Sequence, residues 1–391
     1  MRLTLLLTTS LLLATPALAK DIPAADPKSI RAAMQAAQPG DTIAIPPGDY
    51  DMGDALVAGV SGTKDLPITL RTAGETGYAK LKITGKTDVG FRILAKFWTL
   101  RGLHIQGANP AILDLIQIDG SRGGSDLTMV DCRISHCKEF LLKASRSREQ
   151  ASDNVLLDHC EWFDCPETAI DLVSGDNWII RHNYVHDYGT DGAAHYAIFL
   201  KGGGKNGLIE SNLVDAKKQK GTVGISFGGG LTGAKWLPLL DTGKVAPEHK
   251  DGICRNNIVV NTTDVAYHAN NASNCKFYNN LAYNCRGGFQ RQGGYAPDPA
   301  VINSVFSGSI HGAGESQNNV TKVDEAWFVA PEKNDFRLTD IGKAALAGNA
   351  QPLKNNPADF LSNPRPTPPD LGPLNATATQ SPQWLDRRQA K

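Results

Sequence analysis

Six stretches of this 391-residue chain are versions of one another. They read "DLTMVDCRISHC" from 126, "NVLLDHCEWFDC" from 154, "NWIIRHNYVHDY" from 177, "NGLIESNLVDAK" from 206, "DGICRNNIVVNT" from 251 and "NCKFYNNLAYNC" from 274. The start-to-start spacings are 28, 23, 29, 45 and 23 residues, so the fourth interval carries an insertion. Each unit is a short apolar run, a polar pair ending in Asn or Cys, and a second apolar step. A unit this short cannot bury its own apolar face and must stack on its neighbours, which makes the chain a solenoid.

The apolar runs are too short for helices and are rich in β-branched and aromatic residues. Their leucine content is too low for leucine-rich repeats. The pattern predicts an all-β fold, a single-stranded right-handed parallel β-helix with one turn per repeat and two or three strands per turn. Like residues then stack on like. Asn183, Asn212, Asn257 and Asn280 form an internal ladder of side-chain amides at one turn, with Cys132 and Cys160 in the same position in earlier coils. Cys137, Cys165 and Cys285 align five residues further on. Stacked cysteines fill space in such a coil, or bring 132 and 160, or 137 and 165, within disulfide reach. Seven cysteines leave at least one thiol free.

The ends read differently from the middle. Arg2, an apolar run over 3–14 and Ala17-Leu18-Ala19 have the form of a secretory signal peptide over residues 1–19. No later segment has the length of a membrane span, so an exported protein, periplasmic or extracellular, is expected. Residues 20–320 are assigned to the β-helix. "PKSIRAAMQAAQPG" is an amphipathic helix up to Gln38 that caps the open end of the solenoid. Residues 321–391 are irregular and proline-rich, expected to pack along the outside, with the last fifteen or so without order. Without the leader, 39 basic residues face 40 acidic ones. That balance leaves no basic footprint for nucleic acid, and a monomer is expected.

Function on such a solenoid sits on one outer face, where side chains of successive coils form a row. Eleven residues after the ladder position come Lys143, Asp171, His268 and Arg291. In "AIDLVSG" and "AIFLKGG" the pairs Ile170/Leu172 and Ile198/Leu200 point inward, so Asp171, Phe199 and Lys201 point out, and Ser226 follows the same rule. "GFQRQGG" leaves Arg291 open to a slip of one residue. The resulting groove, Lys143, Asp171, Lys201, His268 and Arg291, suits an extended anionic polymer. Glycines after Lys201 and Phe227 leave the backbone open beside it. Two insertions, 186–195 and 229–250, belong on loops, the second offering Trp236 for stacking on a sugar. His186, Asp187, Asp191 and His195 lack tight metal-ligand spacing.

"PGDTIAIPPGDY", "SGTKDLPITLRTAG", "FWTLRGLHIQG", "NDFRLT" and "NPRPTPPDLG" resemble the secreted β-helix proteins of polysaccharide lyase family 6, which includes chondroitinase B and alginate lyases. The resemblance covers most of the chain and implies extracellular carbohydrate work. That family's strand ending in Asn-Lys-Ser is here "DLVSGDN", and its Leu-Arg-His-Gly one coil later is "FLKGG". Lys201 thus replaces the arginine and Gly202 the histidine.

A uronate lyase needs a cation to neutralise the substrate carboxylate, a base for the C5 proton and an acid for the leaving oxygen. Lys201 with Lys143 or Arg291 beside it serves as base, or it serves as neutraliser with His268 as base. Asp171 orients either one, or helps to hold Ca2+, for which one carboxylate is a thin site; no other cofactor is implied. The expectation is β-elimination on an anionic, uronate-containing polysaccharide. The alternatives are a uronate C5-epimerase, which returns the proton to the other face, and a non-catalytic exopolysaccharide-binding or assembly protein.

Overall fold

The computed structural model describes residues 19–145, 147, 150–230, 237, 239–240, 243–381 and 386–388. Residues 1–18 of the expected leader, and Trp236, lie outside them. Among the described residues the chain winds through three long parallel sheets of twelve, ten and ten strands, visiting each once per coil. The first runs from Asp21–Pro23 to Glu315–Gln317, the second from Leu56–Ala58 to Ile310–His311, and the third from Gly48–Asp51 to Val305–Phe306. Inward residues such as Leu100, Met129, Leu157, Ile180, Ile209, Cys254 and Phe277 fill one continuous core. This is the right-handed parallel β-solenoid that the repeats require.

The amide ladder stands where the spacing put it, between the first and third sheets. Asn183 Nδ2 donates to Asn212 Oδ1 at 3.0 Å, Asn212 Nδ2 to Asn257 Oδ1 at 3.0 Å, and Asn257 Nδ2 to Asn280 Oδ1 at 3.2 Å. Each ladder amide also donates to a carbonyl of the coil below, as Asn212 Nδ2 does to Ile180 O at 2.8 Å. Buried polar groups at a tight turn are thereby satisfied by their own repeats. The residue just before each ladder position has left-handed backbone: Asp131, His159, His182, Ser211, Asn256, Asn279 and Asn303 all lie at φ between 49° and 58°. Asn adopts that region readily, whereas the two histidines do so at some cost.

The helix at the start, Pro27–Ala36, is capped by Asp26, whose carboxylate accepts from the backbone of Lys28 and Ser29. It buries Ile30, Ala33 and Met34 against the first coils. Beyond the last coil, the chain forms a two-stranded hairpin (Phe328–Ala330 with Asp335–Leu338) and a short helix, Asp340–Leu346, then runs back irregularly along the third sheet. Phe328, Phe336, Leu346, Phe360 and Leu371 cover a row of that sheet that is apolar in its upper coils: Leu213, Ile258, Leu281 and Val305. In the last fifteen residues, where no order is expected from sequence, the described Arg388 is 4% exposed and donates to Gly77 O at 2.7 Å. No described helix is long and apolar enough to cross a membrane.

Candidate functional site

Strand pairing on the second sheet defines the outward row without ambiguity: Arg92, Gln117, Lys143, Asp171, Phe199, Ser226, His268, Gln290 and His311. Lys143, Asp171 and His268 therefore share one row. Lys201 stands two residues beyond Phe199, in the neighbouring outward row, over Val173. Arg291 is not in the row. Gln290 pairs with His268, and Arg291 pairs with Ala269. The turn from ladder to strand is one residue shorter in that coil, since Phe289 takes the core position held below by Tyr267. Arg291 turns instead to Asp298, at 2.7 Å.

Lys143 and Lys201 converge on one carboxylate. Asp171 is 1% exposed. Lys143 Nζ donates to its Oδ2 from the coil below. Lys201, one coil above, reaches diagonally back so that Nζ lies 3.3 Å from Oδ1, yet Oδ1 makes no aligned hydrogen bond. Each ammonium also lies over a ring, Lys143 over Phe140 at 3.9 Å and Lys201 over Phe199 at 4.3 Å. Two ammonium groups thus share one carboxylate on a partly exposed face, with the Asp114 carboxyl also within electrostatic reach of Lys143. Among the two ammonium groups and Asp171 the sign favours an anion over a divalent cation.

His268 lies two coils above Lys201, about 10 Å along the axis at the usual strand spacing. The Tyr196 ring, stacked on Phe199 at 3.9 Å, lies 6.4 Å from the imidazole. Ser226 fixes the tautomer. Its hydroxyl donates to Gly228 O at 2.7 Å, so its oxygen accepts from His268 Nδ1–H at 3.3 Å. Nε2 is then the nitrogen with the lone pair; it is buried and makes no aligned hydrogen bond, with the Gln292 amide beside the ring. Burial pulls the imidazole down to about 4, against the opposing effect of the Gln292 amide. The ring is neutral at pH 7 and 4% exposed. Gly229 passes over Phe199, where a Cβ would come within 2.3 Å of the ring.

One further group went unread in the sequence. Asp114 lies in the outward row offset by three residues from Gln117 and accepts from its Nε2 at 3.0 Å. Burial raises its carboxyl to about 6, with Lys143 opposing. The repeat-to-repeat alignment Asp114, Phe140, Thr168, Tyr196 was the available signal.

A second carboxylate centre stands at the ladder turn. Asp158 Oδ1 accepts from His159 Nδ1 at 2.6 Å and His182 Nδ1 at 3.1 Å, and Oδ2 accepts from Arg181 at 3.0 Å. The two imidazoles stack at 4.4 Å. Arg387, from the C-terminal segment, donates to His159 Nε2, and the two sides border a cleft of about 260 Å3. Asp158, His159 and His182 place three ligand atoms within 4.8 Å of one another. Arg181 and Arg387 already stand on those groups, which sets the local field against a cation. The loop histidines do not join them: His186 bonds Asp187 and Glu161 on the third sheet, while His195 bonds Asp191 at 2.7 Å.

A family described as a right handed beta helix region matches residues 113–233. No curated protein matches the sequence. The structure is similar to that of pectate lyase Pel9A (TM-score 0.62, 14% identity, covering 91% of this chain and 96% of that one) and of a rhamnogalacturonan lyase (0.51, 13%, 83% and 98%). It is also similar, at a TM-score of 0.42 and 14% identity over 82% and 96%, to the family 6 lyase Pedsa3628 from Pseudopedobacter saltans. At these identities the likeness carries the architecture: the chain is a right-handed parallel β-helix.

Proposed function

We propose that the chain is an exported polysaccharide lyase that cleaves an anionic, uronate-containing polymer by β-elimination on the second-sheet face. The observation that carries this is one outward face holding a lysine pair on a single buried carboxylate and, two coils away, a neutral imidazole whose Nε2 has no aligned hydrogen bond. In this reading Lys201, held on Asp171 by a single unaligned contact, swings to the substrate carboxylate and neutralises it, while Lys143 stays on Asp171. The C5 proton, acidified by that neutralisation, passes to His268 Nε2. Because the substrate carboxylate is bonded to C5, Lys201 must extend along the face toward His268 for both to reach one uronate on Tyr196, once the side chains over His268 give way. Burial raises the Tyr196 phenol, which keeps its proton at neutral pH and stands as donor to the leaving oxygen. Arg291, engaged with Asp298, has no part in the step. That pectate and rhamnogalacturonan lyases share the architecture supports the substrate class. An epimerase would use the same base, and a binding protein the same lysines.

The test is ultraviolet absorbance during incubation with polygalacturonate, alginate and glycosaminoglycans, with and without Ca2+, followed by product NMR. Rising absorbance from unsaturated ends is expected. Inverted C5 centres in intact chains would establish the epimerase, and affinity with no product the binding protein.

A further inference from the structure

All seven cysteines are thiols; Cys132 and Cys160 are neighbours inside the core, and Cys137 Sγ lies 3.3 Å from Cys165 Sγ. Cys137 and Cys165 occupy equivalent turns of successive coils, each leading from the third sheet to the second. Each turn feeds one member of the ion-pair cluster. Lys143 follows Cys137 by six residues, and Asp171 follows Cys165 by six. The Cys165 thiol is buried and donates to Glu139 O, in the turn below, at 3.1 Å. Cys137 is the half-buried member. Coils stack about 4.8 Å apart, within the roughly 4.4–6.8 Å between Cα atoms that a disulfide spans. Closing the sulfurs to a bond of about 2.05 Å asks for side-chain rotation and for the two turns to draw their Cβ atoms in to about 4 Å.

We propose that Cys137 and Cys165 form a redox site that closes into a disulfide, stapling together the two turns that feed Lys143 and Asp171. The oxidant is a small-molecule disulfide. Cys137, the more accessible thiol, loses its proton to solvent and attacks one sulfur of the reagent, which gives a mixed disulfide and expels the first reagent thiol. Cys165 then gives up its proton and its hydrogen bond to Glu139 O, attacks the Cys137 sulfur and expels the second thiol. Two electrons pass to the reagent, and one S–S bond within the protein replaces two S–H bonds. Cys132 and Cys160, stacked fully inside the core, offer no such entry. Burial, and then the neighbouring Cys165, push the Cys137 thiol well above its ordinary value, so closure is slow at neutral pH and quickens as pH rises. The staple stands apart from the lyase reading, because it requires only the folded coils.

The experiment treats the folded full-length protein with oxidised glutathione at pH 8, blocks remaining thiols under denaturing conditions, and maps the peptides. The expected result is one linked peptide joining Cys137 and Cys165, two fewer free thiols than the untreated seven, and an unfolding midpoint raised by about 5 °C. Cys137→Ser should lose the link. Cys165→Ser should stop at a glutathione adduct on Cys137. Seven free thiols after oxidation, an adduct that never resolves in the unmutated chain, or a link between any other pair would overturn the proposal.

Discussion

Asp158 and Asp171 are both buried carboxylates that meet more than one basic side chain, and the two are finished differently. At Asp158 both oxygens accept aligned hydrogen bonds: two imidazoles share Oδ1 and an arginine takes Oδ2, although Nε of that arginine stays unpartnered. A residue of the C-terminal segment closes over the group from outside. At Asp171, Oδ1 has an ammonium nearby but no aligned bond, and the imidazole further along the face has a nitrogen without one. Composition does not separate these centres, since both pair an acid with bases. What separates them is how far the hydrogen bonding of the carboxylate is completed, not burial, since Asp171 is the more deeply buried of the two. A completed network holds the fold together. An incomplete one on an outward strand face leaves groups that turn to a ligand once the side chains over them give way.

Substitutions at the two centres should therefore part company. Lys201→Ala is expected to lower kcat/KM on the responsive polymer by about 100-fold or more, about 2.7 kcal/mol of barrier, with the unfolding midpoint nearly unchanged. His268→Gln should act as strongly, and the unmutated protein supplies a signature for it. Because the imidazole titrates at about 4, kcat/KM should stay level from neutral pH to about 5 and fall near pH 4. An acid limb near 6.5, the ordinary histidine value, would take the role of base away from His268. The same depressed value has a stability consequence. Between about 4 and 6.5 the unfolded chain binds a proton at this position that the folded chain does not, so this contribution shrinks as pH falls through that window.

Asp158 sharpens the contrast from the other side. Burial alone would raise its carboxyl, but the bonds from His159, His182 and Arg181 prevail and hold it well below the usual range. Its stabilisation is complete above the unfolded value of about 3.9 and drains away as pH falls below that. Asp158→Asn should cost about 2 kcal/mol, read from denaturant unfolding at pH 7, while turnover per folded molecule is retained. The smallest effect belongs to Arg291. With only a partly exposed partner in Asp298, Arg291→Ala should shift stability by no more than about 1 kcal/mol and leave the rate within about threefold, roughly 0.65 kcal/mol. A loss comparable to that of Lys201→Ala would return Arg291 to the site.

Legibility followed periodicity. The amide ladder recurs once per coil, so counting from it reached Lys143, Asp171 and His268 in one row. The same count failed at Arg291 because one turn is a residue shorter, a change visible only when Phe289 is seen in the core. Lys201 was read as outward, but its diagonal reach to Asp171 depends on side-chain length across two rows. The lone pair on His268 Nε2 rests on a tautomer set by Ser226 and Gly228, which spacing does not encode. Asp158 was missed for another reason. His159 and His182 occupy left-handed turn positions that later coils give to Asn, and their cover comes from an aperiodic segment more than two hundred residues away.

The most direct measurement sets Lys201→Ala beside Asp158→Asn in one assay, following unsaturated-product absorbance per folded molecule on the most responsive uronate polymer. Lys201→Ala should lose the signal and Asp158→Asn should keep it. A Lys201→Ala protein that turns over like the unmutated chain, with Asp158→Asn silent, would move the site to the ladder turn and overturn the assignment to the second sheet.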